Sequence, residues 1–244
     1  MSQRDDDLVA PLAEEAAAFG LTLNAAQLAR FADYLGLLQA WNQRLSLTAI
    51  TDPEEIRIRH FLDSLSCAVV TGDLNGRRLV DVGSGAGFPG LPLKILFPEL
   101  ALTLVESVAK KALFLETVID ELGLGRVMVL NERAETIGAR SHQRERYDWA
   151  VARAVAHLSV LAEYLLPLVR VGGHLLAQKG PHVEEEIKVA KGAISKLGGG
   201  AVSVHTVQLP AREQTHTLIV APKVAPTPPA YPRRPGRPAK RPLR

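Results

Sequence analysis

Leu79-Val80-Asp81-Val82-Gly83-Ser84-Gly85-Ala86-Gly87-Phe88-Pro89-Gly90 is the stretch on which the fold turns. Leu79, Val80 and Val82 around Asp81 read as a short buried strand. Four glycines within eight positions follow, and then the apolar run Leu91 to Phe97. That order is strand, glycine-rich bend, helix. A plain βα turn needs one glycine. Several together supply positive φ angles and let a ligand approach the backbone closely. The helix that follows offers unpaired N–H groups and a partial positive charge at its start.

Two frames fit the bend. Gly85-Ala86-Gly87-Phe88-Pro89-Gly90 satisfies the dinucleotide pattern G-x-G-x-x-G, but Gly83 and Ser84 intervene between it and the strand. The other frame is Asp81-x-Gly83-x-Gly85-x-Gly87. An acid at the strand end with alternating glycines is the loop of S-adenosylmethionine (AdoMet) methyltransferases. Such a loop passes the amino-acid end of the cofactor, and a carboxylate suits its ammonium better than it suits phosphates.

Outward from this centre, strands and helices alternate. Leu102 to Val105 reads as a strand ending in Glu106, and Ala109 to Leu122 as a helix. Val127 to Leu130 is a strand ending in Asn131 to Glu135, and Trp149 to Ala152 one ending in Arg153. His157 to Leu166 is a helix, His174 to Gln178 a strand ending in Lys179-Gly180, and Val183 to Leu197 a helix. Alternation of this kind implies a parallel sheet with right-handed crossovers. Val202 to Leu209 and Thr215 to Val220 are too close for a helical crossover and must form an antiparallel hairpin. The expected fold is α/β: a class I, Rossmann-like methyltransferase sheet of seven strands with an antiparallel last strand. A nicotinamide dehydrogenase would usually need a second, substrate domain, and none is visible.

Before the sheet, residues 5–20, 24–45 and 53–71 read as amphipathic helices. The second lines up Leu28, Phe31, Leu35, Leu38, Trp41 and Leu45, with Asn24 and Gln27 placed for a capping box. The third starts at Asp52-Pro53-Glu54-Glu55 and carries Arg59 and Asp63 four apart, the spacing of a surface ion pair. Residues 1–72 are thus a helical extension, 73–222 the methyltransferase domain and 223–244 a tail. From Pro222 onward lie half of the 16 prolines and seven basic residues without an acid. The net charge of +3 therefore divides into +7 there and −4 elsewhere, 22 basic residues against 26 acidic. That composition predicts disorder and either a nucleic-acid arm or a solubilising extension. One cysteine, Cys67, excludes an intrachain disulfide and paired-Cys zinc sites. No apolar run is long enough to span a bilayer, and a cytoplasmic protein is expected.

Ligands of open α/β sheets sit beyond the carboxyl ends of the strands. There lie Asp81 to Phe88, Glu106, Ala134-Glu135, Arg153 and Lys179, with Arg212 and His216 on the last turn. Glu106 follows Gly83 by 23 residues, where an acid for ribose hydroxyls is expected. Lys110 sits in a helix first turn, where the dipole disfavours a cation, and hints at an anionic partner. Methylation at a pyrimidine carbon needs a cysteine nucleophile, and Cys67 is not at the strand edge. The Asn/Asp-Pro-Pro-aromatic turn common for exocyclic amines is replaced by Ala152-Arg153-Ala154. Nucleophiles that already own a lone pair remain, and guanine N7 is one of them. It needs no general base, so the enzyme contributes mostly alignment. Arg153 could hold guanine O6 or a phosphate, or pair with an acid such as Glu106 or Asp148.

Trp41-Asn42 with Leu47-Thr48, Arg59-His60-x-x-Asp63-Ser64, Asp81 through Pro92, Glu106-Ser107, Lys110 with Phe114-Leu115, Arg133-Ala134-Glu135, Arg153-Ala154, Lys179-Gly180 and Arg212 to His216 stand in order. Over roughly residues 24–222 the chain resembles the glucose-inhibited division protein B family, bacterial methyltransferases acting on guanine N7 in 16S ribosomal RNA. The tail falls outside this resemblance. The family likeness implies AdoMet contacts at Gly83, Phe88, Ala134, Glu135 and Arg153, to which the motif frame adds Asp81, Gly85, Gly87 and Glu106. Arg153 is the expected catalytic residue. Arg59, His60, Lys110, Lys179, Arg212 and His216 are expected to face RNA or support the site. The expected partner is 16S rRNA or an assembly intermediate of the small subunit, with no membrane, and the protein is expected to be a monomer. The competing readings are an NAD-dependent oxidoreductase and a non-catalytic RNA-binding protein of methyltransferase fold.

Overall fold

The computed structural model describes residues 3–210 and 215–243. The N-terminal extension consists of α1 (Gln3–Val9), α2 (Leu12–Ala17), α3 (Ala25–Leu45), α4 (Pro53–Ile56), a π-helical segment (Arg57–Leu62), α5 (Asp63–Leu65) and α6 (Ala68–Thr71). The α/β portion follows as β1 (Arg78–Val82), α7 (Gly90–Leu96), β2 (Ala101–Val105), α8 (Ala109–Glu121), β3 (Val127–Leu130), α9 (Ala134–Ala139), β4 (Tyr147–Arg153), α10 (Leu158–Leu165), β5 (Val169–Lys179), α11 (Glu184–Lys196), β6 (Ser203–Gln208), β7 (Thr215–Pro222) and α12 (Arg237–Lys240). The seven strands form one sheet in the order β3-β2-β1-β4-β5-β7-β6. β7 lies antiparallel between β5 and β6, and the other neighbouring pairs are parallel. The topology expected from the alternation is present, and the strand order switches at β1 and β4, beside the glycine bend.

Local signals account for much of the extension. Asn24 and Gln27 complete a reciprocal capping box at the start of α3, and Asp52 caps Glu55 before Pro53. The helix expected over 5–20 is broken at Ala10-Pro11, because proline cannot donate to the preceding turn. The one expected over 53–71 is interrupted by the π-helical turn at Arg57–Leu62. Such single π turns re-aim side chains at functional positions, and this one carries Arg59 and His60. α3 is tied to the domain by its own polar groups. The Gln27 amide donates to the carbonyls of Ile95 and Leu96 at 3.0 Å each.

The tail departs from expectation. Residues 223–243 are ordered against α9, α10 and the start of β5. Tyr231 and Leu243 pack on the apolar cluster of that sheet face. Arg144 donates to the carbonyls of Thr227 and Tyr231 at 2.6 and 2.7 Å. Arg233 grips the fully buried carboxylate of Glu163 with its backbone N–H and its guanidinium, at 2.5–3.0 Å. Proline-rich chain has little conformational entropy to lose, so a few anchors suffice where bulk composition predicts disorder. Arg233→Gln is expected to lower stability by about 2–3 kcal/mol, below the usual cost of breaking a buried ion pair because the backbone N–H still reaches Glu163. Denaturant unfolding measures it.

Candidate active site

The glycine bend is shaped from both sides. Gly83, Gly85 and Gly87 adopt φ of +73°, +60° and +100°. At Gly87 a Cβ would lie 2.5 Å from both Leu91 Cδ1 and the Tyr34 hydroxyl. Tyr34 comes from α3 and is fully buried. Its hydroxyl donates to the Ala86 carbonyl, and its ring stacks on Phe88 at 5.5 Å. Burial pushes its phenol well up, so it stays protonated as a donor. The extension therefore helps to build the loop.

Asp81 has no exposed surface and borders neither cavity of the site. Its Oδ2 accepts the Gly90 N–H at 2.9 Å, while Oδ1 has no partner. Asp81 thus stands behind the loop and anchors the start of α7 through one of its two oxygens. Glu106, 6% exposed, accepts the Gly85 N–H at 2.9 Å and the Val108 N–H at 2.7 Å. It clasps the bend to the β2 end, and its carboxylate retains acceptor capacity for hydroxyls.

The carboxyl rim of the sheet carries two cavities. The smaller, of about 160 Å³, is lined by Gly83, Arg133, Ala134, Glu135, Val155 and Tyr164 among others. A Cβ on Gly83 would come within 2.7 Å of Val155 Cγ2, so only glycine leaves this floor open. The larger, of about 730 Å³, is bordered by Arg59, Asp63, Arg153, Gln178, Lys179 and His216. The end of β4 serves both: Arg153 and Ala154 line the larger, Val155 the smaller. Phe88 borders neither and stands beneath Arg153, with the guanidinium 5.0 Å from its ring centre and His60 stacked on it at 4.5 Å.

Arg153 is held at three points: Asp63 Oδ2 at 2.7 Å, the Arg59 carbonyl at 2.9 Å and His60 Nδ1 at 3.2 Å. Its acid is therefore neither Glu106 nor Asp148, which pairs with Arg170. Asp63 also faces His216 Nδ1 at 3.2 Å. The surface pair expected between Arg59 and Asp63 does not form; Arg59 instead lies 3.8 Å from Glu55. His60 Nδ1 also lies 3.0 Å from the Arg59 carbonyl, and the other ring nitrogen, Nε2, shares a hydrogen bond with Thr48 Oγ1 at 2.8 Å. Thr48 is fixed in turn by the Asn42 side chain. A polar chain thus runs from Asn42 through Thr48, His60, Arg153 and Asp63 to His216.

Other expected site residues are placed differently. Lys179 lines the larger cavity, but its ammonium is committed to Glu186 at 2.6 Å and the Ala156 carbonyl at 2.5 Å. His60 is buried, borders neither cavity and lies behind Arg153, stacked on Phe88. Lys110 is exposed at the start of α8 and borders neither cavity. Arg212 lies outside the described residues. Burial and Asp63 push the Cys67 thiol up, in keeping with the exclusion of a cysteine nucleophile. Asp63, Tyr34, Val155 and Tyr164 were not anticipated as site residues. Asp63 alone had a sequence signal, its place in the Arg59-His60-x-x-Asp63-Ser64 group.

Two buried groups oppose each other in pH. Burial, then Arg153, lowers His60 from 6.5 to about 3. The unfolded chain binds a proton there that the folded chain refuses, so stability falls as pH drops below about 6.5. Burial raises Asp81 from 3.8 to about 7. Here the folded chain keeps a proton the unfolded chain has lost, so this contribution is full below 3.8 and vanishes as pH rises through 7. Each slope is at most about 1.4 kcal/mol per pH unit. Asp81→Asn removes one of them. Its stability deficit relative to wild type is expected to widen as pH falls from 7 to 4, as read by thermal denaturation across that range.

A sheet of this order, with a glycine bend after β1 and an acid after β2, defines a class I methyltransferase fold. The chain is similar in fold to a SAM-dependent O-methyltransferase from Thermotoga maritima, with TM-score 0.54 and 17% identity over 78% of this chain and 72% of that one. It is also similar to M. jannaschii TYW2 in complex with AdoMet, with TM-score 0.50 and 15% identity over 62% and 69%. The family model described as rRNA small subunit methyltransferase G (GidB) matches residues 27–216. A relative named ribosomal RNA small subunit methyltransferase G in Roseiflexus castenholzii is 54% identical over 93% of this chain and 97% of its own length. The relative of the same name in Desulforamulus reducens is 41% identical over 98% of this chain and 99% of its own. The chain belongs to the rRNA small subunit methyltransferase G (GidB) family. The second alignment runs into the Pro-rich tail, which the resemblance read from motifs left out.

Proposed function

We propose that this chain is an AdoMet-dependent methyltransferase that modifies N7 of a guanine in 16S ribosomal RNA. The observation that carries this reading is the pair of cavities meeting at the end of β4, one beside the glycine bend and one bordered by Arg153. Gly83, Ala134 and Glu135 would hold the cofactor in the smaller cavity, with Glu106 and the bend beside them. The open floor at Gly83 and the spare acceptor capacity of Glu106 fit that group. When bound, AdoMet supplies an electrophilic methyl group on a sulfonium.

The chain's own residues supply alignment, worth about 7–11 kcal/mol in well-oriented reactions. The larger cavity has room for a base. Arg153, charged but neutralised by Asp63, can donate to guanine O6 or a phosphate while leaving N7 free. His60, kept neutral, adds no second positive charge beside a product that is itself cationic. Lys179 and His216 shape the wall and are already paired. No general base is required, and family membership sets aside the nicotinamide reading.

The deciding experiment is mass spectrometry of 16S rRNA fragments from cells with and without the gene. Loss of one 7-methylguanosine on deletion, restored by the purified enzyme and AdoMet, is the expected result. An unchanged modification map would overturn it and favour a non-catalytic RNA-binding role. No described helix is long and apolar enough to cross a membrane, and the cytoplasmic site of action follows from the proposed ribosomal RNA substrate. Light scattering at about the 26.4 kDa chain mass would support the expected monomer.

A further inference from the structure

We propose that the folded C-terminal segment presents a fixed cationic ridge that grips the phosphate backbone of the substrate RNA at the lip of the smaller cavity. This inference rests on the rRNA reading above and adds a docking surface to it.

The argument begins with where the tail's charges go. Lys223 is buried, and its ammonium is spent on the Leu166 carbonyl and Thr227 Oγ1, each at 2.5 Å, with Glu145 at 3.3 Å. Arg233 is spent on Glu163. Arg234, Arg237, Lys240 and Arg241 are all exposed. None of these four pairs with a carboxylate among the described residues, although Glu135, Glu145 and Glu163 all bond to the same segment. The acids hold the backbone and the buried cations, and the four outer cations are left for solvent or a partner.

Their position is set by two anchors. Arg233 locks the chain on Glu163. Three residues on, the Gly236 N–H donates to Glu135 Oε1 at 2.7 Å. Glu135 lines the smaller cavity, so Arg234 and Arg237 flank a residue in direct contact with that wall. Arg133, exposed and lining the same cavity, extends the positive surface toward its mouth. Charges on a disordered arm lose conformational entropy when they dock, whereas these are already ordered. A polyanion passing the cavity would meet Arg133 in its lining and the ridge anchored at Glu135. Phosphates are the partner chemistry that such a row of guanidinium and ammonium groups fits, and RNA supplies them at regular spacing.

The test is the salt dependence of binding to unmethylated 16S rRNA transcript by the full-length protein, wild type against R234Q/R237Q/K240Q/R241Q. Each engaged phosphate contributes roughly 0.7–0.9 to the slope of log K against log salt. The variant's slope is expected to be shallower by about 2–3, with affinity near 0.1 M salt reduced roughly 10- to 100-fold. The charge-keeping variant R234K/R237K/K240R/R241K should retain the wild-type slope. Because the four side chains are exposed and the anchors remain, melting temperature and AdoMet affinity should not move. An unchanged slope, with wild type binding and methylating the RNA, overturns the ridge alone. A lowered AdoMet affinity with an unchanged slope also overturns it. A wild type that fails to bind the rRNA overturns the functional reading and the ridge with it.

Discussion

Replacing Gly87 by alanine is expected to weaken AdoMet binding about 100-fold and to lower stability by about 2–4 kcal/mol. Two penalties fall together. A φ of +100° is strained for any residue with a Cβ. The new methyl would also sit 2.5 Å from Leu91 Cδ1 and the Tyr34 hydroxyl, both on fully buried side chains. Relief requires moving α7 or prising Tyr34 from the Ala86 carbonyl, and either shifts the bend relative to Glu106. Gly85→Ala is the informative comparison. Its Cβ meets only the Gly83 carbonyl, at 3.9 Å. It should lose about 1 kcal/mol from its φ of +60° and little more. Calorimetry with AdoMet and thermal unfolding of both variants measure the difference. Equal effects at the two positions would show that crowding by Tyr34 and Leu91 is not what shapes the bend.

That contrast also shows what the sequence could and could not convey. The period of apolar residues and the glycine run specify strand, bend and helix because those signals are local. The sheet order follows from chain topology, since crossovers between parallel strands are constrained. Neither signal says which distant side chain will meet the bend. Tyr34 lies 52 residues before Ala86 in the chain, and its role depends on how α3 docks. Asp63 misled for the same reason. Four residues from Arg59, it suggested a helix-surface pair, yet the π-helical turn and the end of β4 deliver it to Arg153. Asp81 reads as a ligand because it ends a strand beside glycines, and only packing reveals that one of its oxygens accepts the Gly90 N–H. The short helix α9 went unnoticed because six residues starting at a cavity wall carry no repeating pattern. The tail misled through composition. A disorder argument counts apolar residues and net charge, and it has no way to register that Glu163 and Glu145 wait on the surface it covers.

Asp63→Asn is expected to lower kcat by one to two orders of magnitude, about 1.4–2.7 kcal/mol in the barrier, while RNA affinity holds or tightens. The split follows from charge. Asp63 neutralises Arg153 from 2.7 Å and faces His216 from 3.2 Å. The contact to Arg153 survives in shape when the carboxylate becomes an amide with its oxygen toward the guanidinium, but the negative charge is gone. The uncompensated guanidinium then attracts phosphate more strongly, which favours RNA binding. It also repels the positive charge that grows on the base during transfer to N7, which raises the barrier. Asp63→Ala should add a stability loss of about 3–5 kcal/mol, because two partly buried partners lose their acceptor. If Asp63 acts through Arg153, the two substitutions are not independent. Arg153→Met alone should lower both kcat and RNA affinity, and adding Asp63→Asn to it should change kcat by less than threefold. A full, multiplicative loss in the double variant would detach Asp63 from Arg153. A loss of RNA affinity with kcat intact would make Asp63 a mere support for the cavity wall. Single-turnover kinetics at saturating AdoMet, with RNA varied, separate these outcomes because they resolve binding from the methyl-transfer step.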